Sequence, residues 1–161
     1  LRNLRFTFGS ENSTSGRLMP EYFLNIAGVK TSGFKGKKPG FSGSHDATIA
    51  LVNSGAFEAG ALNKQIWEKN LKNNSKRTKN IDVFFVTPSY VDYHWLSQGD
   101  LDEKFYSGFT KKLKKAILNL NENNPNHKII LEMFNAKKFI DSDAKQYKKI
   151  EEIGRKLKKI R

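Results

Sequence analysis

The chain has 161 residues, of which 37% are hydrophobic and 12% aromatic, enough to bury a core in one domain or two small ones. No run approaches the about eighteen consecutive apolar residues of a membrane span, and no cysteine is present, which excludes disulfides, thiolate nucleophiles and Cys-ligated metals. The formal charge of +13 points by itself to nucleic acid or an anionic surface, but the densest clusters, Lys111-Lys112, Lys114-Lys115, Lys148-Lys149 and Lys156 to Arg161, alternate with apolar positions at helical spacing. That is the pattern of a solvated helix face, and no DNA- or RNA-binding motif accompanies it.

Alternation over Leu4 to Phe8 predicts a strand, ended by the turn residues Gly9-Ser10-Glu11-Asn12, and a helix is expected from Ser13 to Ser15 onward. Pro20 falls inside that helix, where its ring would meet the Gly16 carbonyl, so a kink or a fresh start is expected there. Thr31 to Gly43 is loop-like around a short strand at Gly40 to Ser42. Asp46 to Asn53 has helical spacing and ends at Gly55, placed for a left-handed cap. A short strand over Phe57 to Leu62, a helix over Asn63 to Leu71 and a polar loop over Asn73 to Asn80 follow, and then Ile81 to Val86 reads as a buried strand. Beyond Thr87-Pro88 the pattern turns helical, with one stripe through Phe105, Phe109, Leu113, Ile117 and Leu120 capped at Asp100 or Asp102. A short element at Ile129 to Phe134 and a terminal helix over Asp143 to Ile160 complete the chain. The order predicts an α/β fold with a mainly parallel sheet.

The stretch Gly9-Ser10-Glu11-Asn12-Ser13-Thr14-Ser15-Gly16 sets three consecutive hydroxyl residues after a strand and turn, at a helix start. Unpaired first-turn amides and the helix dipole favour an anion there, and small hydroxyl side chains add donors. An ordinary Ser/Thr cap explains the triplet equally well. A second helix start, Ser42-Gly43-Ser44-His45-Asp46, brings a histidine whose ring can donate to an oxyanion.

Taken in order, "FTFGSENSTSGRLMP", "SGSHDATIALVNSGAFEAGALN" and "VTPSYVDYHW" resemble the phosphate, phosphite and phosphonate-binding subunits of ABC transporters, as a C-terminal fragment of that family. The resemblance implies a periplasmic-binding-protein fold of type II, with ligand in a cleft between two α/β lobes, one complete here and the other partial. On it, residues 1–6 belong to a crossover strand, 7–84 form the lobe with the anion site, and 85–161 return to the first lobe. Leu4 to Phe8 and Ile81 to Val86 would be the crossing strands. It also implies that Ser13, Thr14 and Ser15 grip the oxyanion and that His45 is a contact. Asn63 and Gln65 stand where an amine-recognising member would carry a carboxylate, which leaves Asp92, between Tyr90 and Tyr93, as the acidic candidate, with Tyr93 beside it in the binding set.

The expected function is capture of a phosphonate, phosphite or related phosphorus oxyanion for a membrane permease, outside the cytoplasm, with or without a lipid anchor and with no cofactor, metal or chemistry of its own. A ligand-sensing domain of a signalling receptor would use the same pocket; a basic nucleic-acid-binding protein is the reading from another class. His94, His127, Trp67 and Trp95 read as structural. Ser13, His45 and Asp46 do not suggest a hydrolase, because adjacent His and Asp cannot easily form a linear relay and no Gly-x-Ser-x-Gly elbow is present.

Overall fold

The computed structural model describes residues 1–91 and 93–160. Its chain forms two compact units, one from residues 1–92 with 147–161 and one from 93–146, and each is described by itself.

The first unit is built on a parallel three-stranded sheet. Strand β1 (Phe6–Phe8) lies between β2 (Gly40–Phe41) and β3 (Ala59–Gly60), with Thr7 opposite Gly40 on one side and Gly60 on the other. All three β1 residues are buried, as expected of a central strand covered on both faces. Phe6 stacks on Phe34 with ring centroids 4.7 Å apart, and Phe8 meets Phe6 edge-on at 5.0 Å; Ala59, Leu24 and Val29 complete this core. A glycine is required at position 60, since a Cβ there would lie 2.7 Å from Thr48 Cγ2 and 3.1 Å from Thr7 Cγ2. Arg5 joins the entry of β1 to β3: its Nη2 and Nε donate to Glu58 Oε1 at 2.7 and 3.0 Å. That contact holds the Glu58 carboxyl far below its ordinary value, at about 2, chiefly through the Arg5 side-chain hydrogen bond.

After each strand the chain turns into a helix. A wide helical turn, Thr14–Leu18, runs into α1 (Met19–Ile26); α2 (His45–Asn53) follows β2, and α3 (Lys64–Asn73) follows β3. Pro20 explains the wide turn. Without an N–H it cannot take the Gly16 carbonyl, and its ring would clash with that oxygen in a regular helix. The turn opens instead, Leu18 and Arg17 both donate to Ser13 C=O, and Gly16 C=O accepts the Gly9 N–H at 2.9 Å. Gly55, at φ +75°, closes α2 in the expected left-handed conformation.

Three expectations fail in this unit and the next. The polar segment 73–80 is not all loop, because Ser75–Thr78 forms the short helix α4, whose Thr78 is buried. Ile81 to Val86 is neither paired nor buried: Val83, Phe84, Phe85 and Val86 are each more than half exposed. A β-forming run becomes a strand only where a neighbouring edge supplies partners, and among the described residues none is offered to it. The single helix expected from a cap at Asp100 or Asp102 through Leu120 is two, α5 (Leu101–Lys104) and α6 (Phe109–Leu118), since Gly108 at φ +85° interrupts the spiral.

In the second unit, Asp102 bridges that break. Its carboxylate accepts from Gly108 N–H at 2.9 Å and Thr110 N–H at 2.7 Å, so an acid from one helix caps the next. Hydrogen bonds from the Thr110 side chain, then from the two backbone amides, hold its carboxyl below the ordinary range. Helix α7 (Pro125–Met133) starts earlier than expected, at the cap Asn124, whose Oδ1 accepts from Asn126 N–H at 2.9 Å. Trp95, Phe134 and Phe139 form a mutual edge-on cluster with centroids 4.9 to 5.9 Å apart. The last helix, α8 (Lys148–Lys156), belongs to the first unit and packs on α1.

Candidate functional site

In a parallel sheet every strand points the same way, so the loops leaving β1, β2 and β3 gather at one edge and each delivers a helix N-terminus there. That edge is where open α/β sheets bind ligands. Each start has its own cap. Ser13 Oγ accepts from Gly16 N–H at 2.8 Å, Ser44 Oγ from Ala47 N–H at 3.1 Å, and Asn63 Oδ1 from Gln65 N–H at 2.8 Å.

The His45 ring joins the three. It opens α2, and its Nδ1 accepts the Asn63 backbone N–H at the head of α3 at 3.3 Å. Its other face meets the first helix start: a Cβ on Gly16 would come within 3.2 Å of His45 Cε1, 3.2 Å of Gly9 Cα and 2.9 Å of Ser13 Oγ. Gly9 and Gly16 therefore let the β1 turn, the hydroxyl triplet and the imidazole sit against one another. With Nδ1 accepting, Nε2 is the ring nitrogen placed to donate.

Of the expected site residues, Ser13, Thr14, Ser15 and His45 come together in this cluster. Ser13 is half-buried and Ser15 buried. The Ser13 oxygen takes the Gly16 amide and keeps its own hydroxyl hydrogen to donate. Among the described residues no acceptor takes the N–H of Thr14 or Ser15, which are first-turn amides. The cluster is thus a concentration of neutral donors: backbone amides, hydroxyls and an imidazole N–H. Such an array of donors stabilises negative charge. Asp46, next to His45, is held by Asn70 Nδ2 at 3.1 Å and Arg77 Nη1 at 3.5 Å. This is no arrangement for a proton relay.

Tyr93 opens the second unit and is exposed. Asp92 lies outside the described residues. His127 sits in the first turn of α7 and Trp95 in the aromatic cluster. Asn63 was legible only as an amide standing in for a carboxylate; it is a buried cap whose backbone orients His45. The signal for it was a lone Asn directly before a helical pattern. Among the described residues no set of three metal-ligating side chains is assembled, and no helix is long and apolar enough to cross a membrane.

Comparison with known proteins agrees with this geometry. Residues 1–147 match the family of periplasmic phosphonate substrate-binding proteins of ABC transporters. Over all 161 residues the chain is 73% identical to a probable ABC transporter phosphite binding protein, PhnD1, of Prochlorococcus marinus strain MIT 9301, of which it spans 54%. The solved structure of that organism's PhnD1 in complex with methylphosphonate superposes with a TM-score of 0.96 at 73% identity, covering 99% of this chain and 59% of that one. The chain thus spans little more than half the length of the relatives it matches, and within that span the expected α/β fold with a parallel sheet is the fold observed.

Proposed function

This chain belongs to the periplasmic phosphonate substrate-binding proteins of ABC transporters, and from that premise we propose that it captures a small phosphorus oxyanion, phosphite or a short alkylphosphonate, for import. The observation that carries the reading is the convergence of three helix starts on His45, with the Thr14 and Ser15 amides and the Ser13 hydroxyl beside it. Ser13, Thr14 and Ser15 donate to the –PO3 oxygens, and His45 donates from Nε2. Neutral donors suffice because first-turn amides carry the positive end of the helix dipole. Asp92 and Tyr93 belong to the same binding set, with residues 7–84 forming the lobe that carries the anion. The protein works outside the cytoplasm, hands its ligand to a membrane permease and makes or breaks no bond.

The test is calorimetry with phosphite, methylphosphonate, orthophosphate and sulfate. It is run on this chain and on a chimera in which the chain replaces the matching residues of its 73% identical relative. The reading expects saturable binding of phosphite or methylphosphonate by the chimera. Ser15→Ala should weaken it by roughly 1.5 to 3 kcal/mol, as for a hydrogen bond to a charged group. A chimera that binds none of the four anions refutes the reading.

A further inference from the structure

Arg17 is the one cationic side chain in the wide turn that carries the hydroxyl triplet, and its guanidinium is largely covered, with Nε and Nη1 both hydrogen-bonded. Nη1 donates to the Glu11 carbonyl at 3.1 Å, in the turn that leaves β1. Nε donates to Glu21 Oε2 at 3.2 Å, one helical turn along. Its Cζ lies over the ring of Phe41, the last residue of β2, 4.6 Å from the centroid. The pair is well covered, with the side chains of Arg17 and Glu21 only 18% and 12% exposed. From beyond α8, Lys159 Nζ reaches the same Glu21 oxygen at 3.6 Å, and Lys156 lies over the Tyr22 ring.

We propose that Arg17 is the positioning residue of the oxyanion site: it fixes the turn between Gly9 and Ser13 against α1 and the end of β2, and so aims the Thr14 and Ser15 amides. The inference rests on the oxyanion reading above and adds to it a residue that does not touch the ligand. The role is supported by the partners the guanidinium already has: Nε serves a carboxylate, Nη1 a carbonyl, and Cζ lies over a ring. It also explains why arginine stands here. One group must donate in two directions while its carbon sits over an aromatic ring, and the fixed fork of a guanidinium does this where the point charge of an ammonium does not. Holding the donors in place before the anion arrives spares the ligand the ordering of the turn from Gly9 to Ser13, and a small displacement of such donors lowers affinity steeply. Backbone bonds hold the ends of that turn, from Gly43 N–H to Gly9 C=O at 3.3 Å and from Arg17 and Leu18 N–H to Ser13 C=O at 3.1 and 3.0 Å. Its own tie is the Ser13 N–H to Ser10 C=O bond at 3.2 Å, with the Gly9 N–H to Gly16 C=O bond at its entry.

The experiment measures methylphosphonate and phosphite affinity in the chimera for wild type, Ser13→Ala, Arg17→Lys and Arg17→Gln. Thermal unfolding and amide hydrogen exchange at Gly9 and Ser13 are recorded on each. Expected are a loss of about tenfold or more in Arg17→Gln and a smaller loss in Arg17→Lys, as for misplaced donors, with faster exchange at Ser13. If Arg17→Gln fails to fold, Phe41→Leu and Glu21→Gln each remove one arm of the clamp and should each weaken binding about two- to fivefold. Wild-type affinity in Arg17→Gln, or in both of the single-arm variants, overturns the inference, as does unchanged exchange at Ser13 alongside weakened binding. A wild-type chimera that binds neither anion, or binds without any effect of Ser13→Ala, instead brings down the oxyanion reading on which the inference rests.

Discussion

The two units of this chain treat polar groups in opposite ways. The first buries Thr7, Ser15, Thr48, Asn63, Asn70 and Thr78, three of them (Ser15, Thr48 and Asn63) in or beside the helix starts of a parallel sheet, whereas the second buries no polar residue among those described and only Leu131 among the apolar ones. A sheet explains the difference. Parallel strands bring several chain segments to one edge, where loops can be buried because caps and amides satisfy each other. Helices without a sheet must satisfy their ends locally, as Asp102 and Asn124 do, and large apolar side chains of this unit stay open: Trp95, Phe105, Ile129 and Met133 are each more than half exposed. The lesson is that polar chemistry can be concentrated where topology, and not local sequence, gathers the chain.

The sharpest way to break this comparison is Gly16→Ala. Its Cβ has no room among Ser13 Oγ, Gly9 Cα and the His45 ring, so the cluster must open. Overpacking of this kind should destabilise the fold by about 1 to 3 kcal/mol, and anion binding should disappear at concentrations that saturate wild type. Calorimetry and chemical denaturation of the same sample check both. A wild-type affinity would mean that the close approach is incidental to the site.

Ser13→Ala and Ser15→Ala come next and should separate two kinds of hydroxyl. Both should weaken anion binding by roughly 1.5 to 3 kcal/mol. Only Ser13→Ala should also cost about 1 kcal/mol of stability, because its oxygen caps the Gly16 amide. Equal stability losses in urea titrations would contradict that division.

In the second unit, Asp102→Ala leaves the Gly108 and Thr110 amides without their acceptor. The first turn of α6 should fray, with a loss of about 0.5 to 2 kcal/mol in denaturation and no change in anion affinity. An effect on binding would contradict the local role assigned to this cap.

The smallest effect is electrostatic. Arg5 lowers the folded-state pKa of Glu58 to about 2, below its ordinary 4.5. A carboxylate shifted downward stabilises the fold above its unfolded pKa, and that contribution is lost as pH falls from 4.5 toward 2. The pair is solvent-exposed, so the effect is modest. Melting curves between pH 6 and pH 2 should fall more steeply for wild type than for Glu58→Gln; parallel curves would remove the pair from the stability of the sheet.

Much of this was legible along the chain because it is written in short-range terms. Capping Ser13 and Ser44, the left-handed Gly55 and the disruptive Pro20 each act within four residues, and each produced the expected start, stop or distortion. The hydroxyl triplet and the histidine were legible as donors at helix starts. Their mutual contact was not, since Gly16 and His45 are 29 positions apart and meet only because β1 and β2 are neighbours. Ile81 to Val86 shows the reverse error, a run with strand composition and no edge to pair with among the described residues.

The sequence by itself therefore determined where helices begin, which residues carry donors, and that the sheet should be parallel. Only the tertiary structure decided that three helix starts share one edge, that the Asn63 amide donates to His45 Nδ1, and that Arg17 contacts Glu11, Glu21 and Phe41. The physical reason is range. Caps and turns are settled by backbone groups a few residues apart, whereas the direction in which a donor points depends on which distant strands have become neighbours.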